Sequence, residues 1–352
     1  MLKRMTALLA FALAQTAGAA DGAPDFVLPS TPQTVVRGYI AIDTPPVLRI
    51  RSGQSVKIDT VSHGGLTQDP VKFFGDAGIP KEQVLQEAGD IAKLPRTEGF
   101  GGHVLTGPVY VEGAAPGDML EVRILRVDIR VPYGVNNPGT GGAAPGLLPK
   151  ADSKVIKFDV KRNVALFSPE IEVPLGPFMG IMAVAPPPEM KRINSRPPGI
   201  YGGNMDFKKL TAGATLYLPV FNDGALFVTG DSHGGQGDGE VDGNAIEASM
   251  SPTFQFIVHK GEGKTMTSPR AEDAENYYVL GMDRDLNVAM KNAVTETVAF
   301  LQTKGLSASD GYSLASIGVD FAVAEAVDDV LVIYGKIPKS IFKHKTAYWA
   351  AP

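Results

Sequence analysis

The stretch Gly230–Val241, GDSHGGQGDGEV, sets Asp231 and His233 one residue apart and repeats that spacing at Asp238 and Glu240. In an extended chain, residues i and i+2 point to one face, so either pair would present two polar groups together. Hard carboxylates beside a borderline imidazole suit a divalent ion such as zinc. An ion held this way acidifies a bound water and polarises a carbonyl. The interleaved glycines let the backbone turn sharply and come close to a ligand. Three other readings fit the same residues. The acids could only satisfy backbone donors in a polar turn, or GGQGDGE could be a single calcium loop. Gly230–Gly234 also matches G-x-S-x-G, which would make Ser232 a nucleophile between a strand and a helix. GGQGDGEV is a poor helix start, which counts against that last reading.

More polar residues sit beside glycines: His63 in DTVSHGG, His103 in GGHVLTGP, and Asn204 with Asp206 in YGGNMD. His259 and His344 lack acidic or glycine-rich company and read as structural. The chain has no cysteine, which excludes a thiol nucleophile and a thiolate metal site. A formal net charge of −5 offers no basic field for nucleic acid.

The elements that must position these residues are mostly strands. VVRGYIAIDTPPVLRIRSGQSVKIDTVS and VYVEGAAPGDMLEVRILRVDIRV read as short strands broken by Pro, Gly and Ser turns. TLYLPVFNDGALFVTG leads directly into the acid and histidine cluster. VPYGVNNPGTGGAAPGLLP, residues 131–149, reads as a long loop, either an active-site border or a solvated connection, with base rates favouring the second. Helix is expected late, where Leu286, Met290, Val294, Val298 and Leu301 recur at helical spacing as a core stripe. Asp283 or Asp285 would cap its start and Gly305 its end. The predicted fold is mainly β, with mixed or antiparallel sheets in a sandwich- or barrel-like body and a smaller α+β C-terminal part.

MLKRMTALLAFALAQTAGAA opens with Lys3 and Arg4, continues apolar, and ends in Ala17-Gly18-Ala19. This is the pattern of a secretory signal peptide over residues 1–19, and it predicts a periplasmic or secreted protein with no membrane anchor after cleavage. One domain is expected over 20–352, with its β-rich body at about 35–265 and its tail at about 270–352.

HVLTGPVYVEGAAPGDMLEVRI (103–124) and PGIYGGNMDFKKLTAGATLYLPVFNDGALFVTGDSHGGQGDGEV (198–241), in that order, resemble the acetamidase/formamidase family. The resemblance implies a mainly β homo-oligomer that hydrolyses the C–N bond of short amides with a divalent metal, zinc or calcium. Carried over by position, the active region includes Asn204, Asp206, Asp231, His233, Asp238 and Glu240, approached by His103. It implies Asp231 and His233 as metal ligands, with His103 or His63 completing the shell. Glu240 would be the general base and Asn204 would orient the amide. Tyr201 and Gly234-Gly235-Gln236 depart from the family's usual residues. Those altered flanks motivate the alternative of a non-catalytic periplasmic binding protein on the same scaffold.

Overall fold

The computed structural model describes residues 22–344, so the expected signal peptide lies outside the described residues. The largest sheet has nine strands. Their order is Phe26–Leu28, Ser55–Ile58, Met250–His259, Met119–Ile129, Thr215–Pro219, Arg270–Glu272, Asn276–Asp283, Leu331–Pro338 and Asp320–Glu325. A six-stranded sheet runs Gly202–Asn204, Phe178–Ala183, Phe227–His233, Val104–Glu112 and Val35–Arg37, with Leu48–Arg51 also on Val104–Glu112. Among the described strands, pairing is antiparallel except at Phe26–Leu28 with Ser55–Ile58 and Leu48–Arg51 with Val104–Glu112. The mainly β, mixed-sheet expectation holds.

Both sheets contribute to one core. Phe227 of the smaller sheet meets Phe254 and Phe256 of the larger, with ring centroids 5.6 and 5.0 Å apart. All three are fully buried, and each burial is worth about 1.5–3 kcal/mol. The strand Phe227–His233 therefore arrives at the polar cluster already anchored in the core. Within residues 131–149, Tyr133–Asn136 form a strand, and the remainder is largely exposed.

A four-stranded sheet (Ile171–Pro174, Val164–Ser168, Lys154–Asp159, Tyr133–Asn136), a strand pair (Arg192–Asn194 with Tyr39–Ala41) and four α-helices, α1 (Pro70–Asp76), α2 (Gln86–Ala92), α3 (Leu286–Thr303) and α4 (Ala308–Gly318), make up most of the remaining described structure. Asp285 caps α3 by accepting from Asn287 N–H. The expected core stripe of α3 is only partly buried: Leu286 and Met290 are exposed, Val294 and Val298 half-buried and Leu301 buried, while Ala289, Ala293, Thr297 and Phe300 carry the rest of the buried face. The cause is close approach. A Cβ on Gly281 in the adjoining strand would lie 2.2 Å from Ala289 O and from Ala293 N, so only small residues fit between. Among the described residues no helix is long and apolar enough to cross a membrane.

Candidate active site

Asp231 and His233 occupy the end of the strand Phe227–His233, and Asp231 has a φ of 52°. Asp206 and Glu240 also lie in the left-handed region, at 43° and 44°. A non-glycine residue there costs on the order of 1 kcal/mol or more, and such strain concentrates at functional sites. Asp206 and Asp231 can approach each other because Gly180 lies between. A Cβ on it would sit 2.4 Å from Asp206 Oδ1 and 2.8 Å from Asp231 Oδ2.

Three imidazoles surround Asp231. His63 Nδ1 lies 3.1 Å from Oδ1, while His103 Nε2 and His233 Nε2 lie 3.8 and 3.5 Å from Oδ2. Glu247 closes the ring, 3.4 Å from His233 Nε2 and 3.7 Å from His63 Nδ1. His63 and His103 meet edge to face at 5.0 Å, and Phe178 backs His233 at the same distance. Each of two imidazoles is held from behind: His103 Nδ1 by Ser195 Oγ at 2.9 Å, His233 Nδ1 by Gln236 Oε1 at 3.0 Å. His63 is 24% exposed and His103 12%, against 4% or less for Asp231, His233 and Glu247, so the cluster opens toward the first two.

Beyond His233 lies a carboxylate set. Asn204 Nδ2 donates to Asp328 Oδ2 at 2.7 Å, and Arg196 Nε lies 3.3 Å from Asp328 Oδ1. Asp206 and Glu240 sit near His233, with ligand atoms of the three within 4.8 Å of one another. Glu325 Oε2 accepts from Val327 and Asp328 N–H, which shapes the turn that presents Asp328.

The two sets titrate oppositely. Burial pushes the Asp231 carboxyl up, but His103, His233 and His63 outweigh it and hold the group well below its usual range. Burial pulls His233 down, yet Glu247 and Asp231 raise it well above an ordinary imidazole; His63 is raised likewise. His103 stays low because burial wins over Asp231. Burial drives Asp206 well up, reinforced by Glu240, Asp231 and Asp328. Burial also lifts Glu240 well up against the pull of His233, and Asp328 and Glu247 add to it.

The donors fit a cation. Among the buried polar atoms without a hydrogen bond are His63 Nδ1, Asp231 Oδ1, His233 Nε2 and Glu247 Oε2, all in the ring around Asp231. Buried charges persist only when paired or bound to a metal. A set of three imidazoles and two carboxylates suits a borderline ion such as zinc better than calcium, which prefers oxygen ligands alone.

The structure thus brings together His63, His103, Asp231 and His233, and near them Asn204, Asp206 and Glu240. It places Asp238 elsewhere, correcting the expectation that Asp238 and Glu240 share a face. Gly239 at φ 95° and Glu240 at 44° break the extended conformation that the spacing requires. Asp238 is exposed, 3.1 Å from Lys208 Nζ and 3.3 Å from Tyr334 OH. Ser232 is not an elbow either: its Oγ is buried, donating to Ala248 O at 2.6 Å and meeting Thr60 Oγ1 at 2.9 Å, and no helix follows. His259 is structural, bound to Glu121 at 2.5 Å. Sequence reasoning missed Glu247, Ser195, Gln236 and Asp328. Glu247 bridges directly to His233 across the strands, a pairing for which AIEASMS carries no local signal.

A model of the acetamidase/formamidase family matches residues 40–197 and 193–344. The chain is 26% identical over 333 residues to an acetamidase of Mycolicibacterium smegmatis, covering 72% of this chain and 80% of that protein. It is 30% identical over 194 residues to a formamidase of Methylophilus methylotrophus, covering 40% of this chain and 47% of that protein. Two crystal structures superimpose at a TM-score of 0.75 with 26% identity. One is a recombinant predicted acetamidase/formamidase from Thermoanaerobacter tengcongensis, with 90% of this chain and 96% of that one covered. The other is an acetamidase from Yersinia enterocolitica, at 92% and 94%. Matched from residue 40 to 344, with its acid and imidazole cluster inside that span, the chain belongs to the acetamidase/formamidase family.

Proposed function

We propose that the protein is a metal-assisted amidase that hydrolyses short linear amides to ammonia and a carboxylate. The observation that carries this reading is the pair of ligand triads, His63–His103–Asp231 and Asp231–His233–Glu247, that share Asp231 and hold buried donor atoms without hydrogen bonds. These five residues would hold a divalent ion, zinc by the chemistry of the donors, and the ion would acidify water and polarise the substrate carbonyl. The names of the relatives support an amide substrate.

The neighbouring residues supply binding and proton transfer. Asn204 Oδ1 is buried without a partner and is free to accept an amide N–H, while Asp328 and Arg196 fix the side chain from behind. Glu240 and Asp206 form a pair whose affinity for protons burial raises well above that of an ordinary carboxylate, which suits a group that takes a proton and gives one back. In this reading Glu240 removes a proton from the attacking water, and the pair returns one to the departing nitrogen as the C–N bond breaks. The near-complete burial of these groups favours small substrates.

Purified protein incubated with formamide and acetamide is expected to release ammonia, to lose that activity on chelation, and to regain it with zinc. No release from any short amide at full metal occupancy would overturn the reading; saturable amide binding without turnover would favour the binding-protein alternative. The reading includes export of a single domain spanning residues 20–352, supported by Lys3, Arg4 and Ala17-Gly18-Ala19. It also includes self-association, which the exposed Met290, Tyr312 and Ile317 of α3 and α4 support.

A further inference from the structure

His233 stands between two candidate ion sites. Its Nε2 faces Asp231 and Glu247, whereas its Nδ1 lies 3.8 Å from Asp206 Oδ1, in a second possible ligand group with Glu240. An imidazole that serves as a ligand offers a lone pair on one side only, with the other nitrogen carrying its proton. The choice of site therefore depends on what holds the Nδ1 proton.

We infer that Gln236 makes that choice: it accepts the proton of His233 Nδ1, turns the Nε2 lone pair inward, and so assigns the ion to the His63, His103, Asp231 and Glu247 side. The inference rests on the metal-assisted reading and deepens it. Its basis is the anchoring of the amide. Gln236 Nε2 donates to Asp206 O at 2.8 Å and approaches Ala324 O at 3.5 Å. Rotating the amide by half a turn would set its oxygen against both carbonyl oxygens, so Oε1 must face His233, 3.0 Å from Nδ1. An oxygen there can only accept, and Nδ1 must donate. The Asp206 and Glu240 side is thereby denied an imidazole ligand and is left to hold protons. Gln236 is a positioning residue, acting on the ion through His233. Partners of this kind are worth roughly 10- to 100-fold in metal affinity.

The test uses full-length mature protein stripped and reloaded with zinc, read by metal stoichiometry, chelator competition and X-ray absorption. The wild type is expected to bind one zinc per chain with three imidazole ligands. Gln236→Met, which keeps the length but removes the acceptor, should weaken zinc by roughly 10- to 100-fold and lower the imidazole count. Gln236→Glu, whose carboxyl in its protonated form keeps an acceptor oxygen toward His233 Nδ1 and an O–H donor toward Asp206 O, should restore affinity to within about threefold of the wild type under conditions where it stays protonated. Asp206→Asn should likewise change affinity by less than about threefold, because Asp206 is not a ligand in this assignment. Thermal melts establish that each variant is folded. A Gln236→Met protein that binds zinc like the wild type, with three imidazoles, overturns the inference. So does an equal loss in folded Gln236→Met and Gln236→Glu, which would mean that Gln236 merely packs. A large loss in Asp206→Asn would put the ion in the other half. Failure of the wild type itself to bind zinc would instead defeat the metal reading, and this inference with it.

Discussion

On one side of His233, two further imidazoles and two carboxylates face it; on the other, Asp206, Glu240 and Asp328 gather without an imidazole lone pair. The first half lowers Asp231 and raises His63 and His233, because opposite charges there stabilise each other. In the second, burial raises Asp206, Glu240 and Asp328, and neighbouring carboxyls reinforce it at Asp206 and Glu240. The same residue type, a buried aspartate, thus has its carboxyl pushed down at 231 and up at 206. The difference teaches that local company decides the role: the first half is prepared for a cation and the second for a proton.

Removing the centre of the first half should have the largest effect. Asp231→Ala takes a carboxylate from all three imidazoles, and its ammonia release should fall by about a thousandfold or more, with zinc lost on dialysis. Glu240→Gln strikes the second half. It should lower kcat by roughly 100- to 1,000-fold while zinc stoichiometry stays unchanged. Equal metal loss in both variants would erase the distinction between the halves.

A third effect is one of stability. Burial, then Asp328, raises the Glu325 carboxyl from an ordinary 4.5 to about 8. The folded state therefore holds a proton that the unfolded state releases between those values. With more protons bound in the native state, stability is full below the unfolded value and declines as pH rises toward 8. The cost from this group alone is about 5 kcal/mol at most. Glu325→Gln keeps an acceptor for Val327 and Asp328 N–H and cannot ionise. Urea melts of the metal-free protein should show a shallower decline from pH 5 to 8 in the variant, and a variant more stable than the wild type at pH 8. Parallel slopes would show that Glu325 carries no proton in the fold.

Much of the first half was legible because its residues cluster in sequence or stand beside glycines. Asp231 and His233 share one strand end, and His63 and His103 each flank paired glycines. Glu247 was not legible, since it enters by bridging His233 from a segment with no motif of its own. Asp328 comes from the turn between two tail strands that join the nine-stranded sheet, a tertiary fact invisible to local spacing. The body's β character follows from alternation and turn residues. The facing of α3 does not, because the contact at Gly281 selects alanines over the bulkier stripe.

The smallest effect sharpens the boundary of the second half. Asp238 has the residue type and the spacing of a catalytic partner for Glu240, and a reading by spacing would treat the two alike. Yet it is 37% exposed and paired with Lys208, and exposed pairs contribute only about 0–1 kcal/mol. Asp238→Asn should leave kcat/KM within about twofold and stability within about 1 kcal/mol. Measured beside Glu240→Gln in one ammonia assay, the two variants isolate the backbone turn at Gly239 as the cause, since residue type and spacing are shared. A loss in Asp238→Asn comparable to that of Glu240→Gln would mean that this loop rearranges during turnover to bring Asp238 inward, and the half described as three carboxyls would have four.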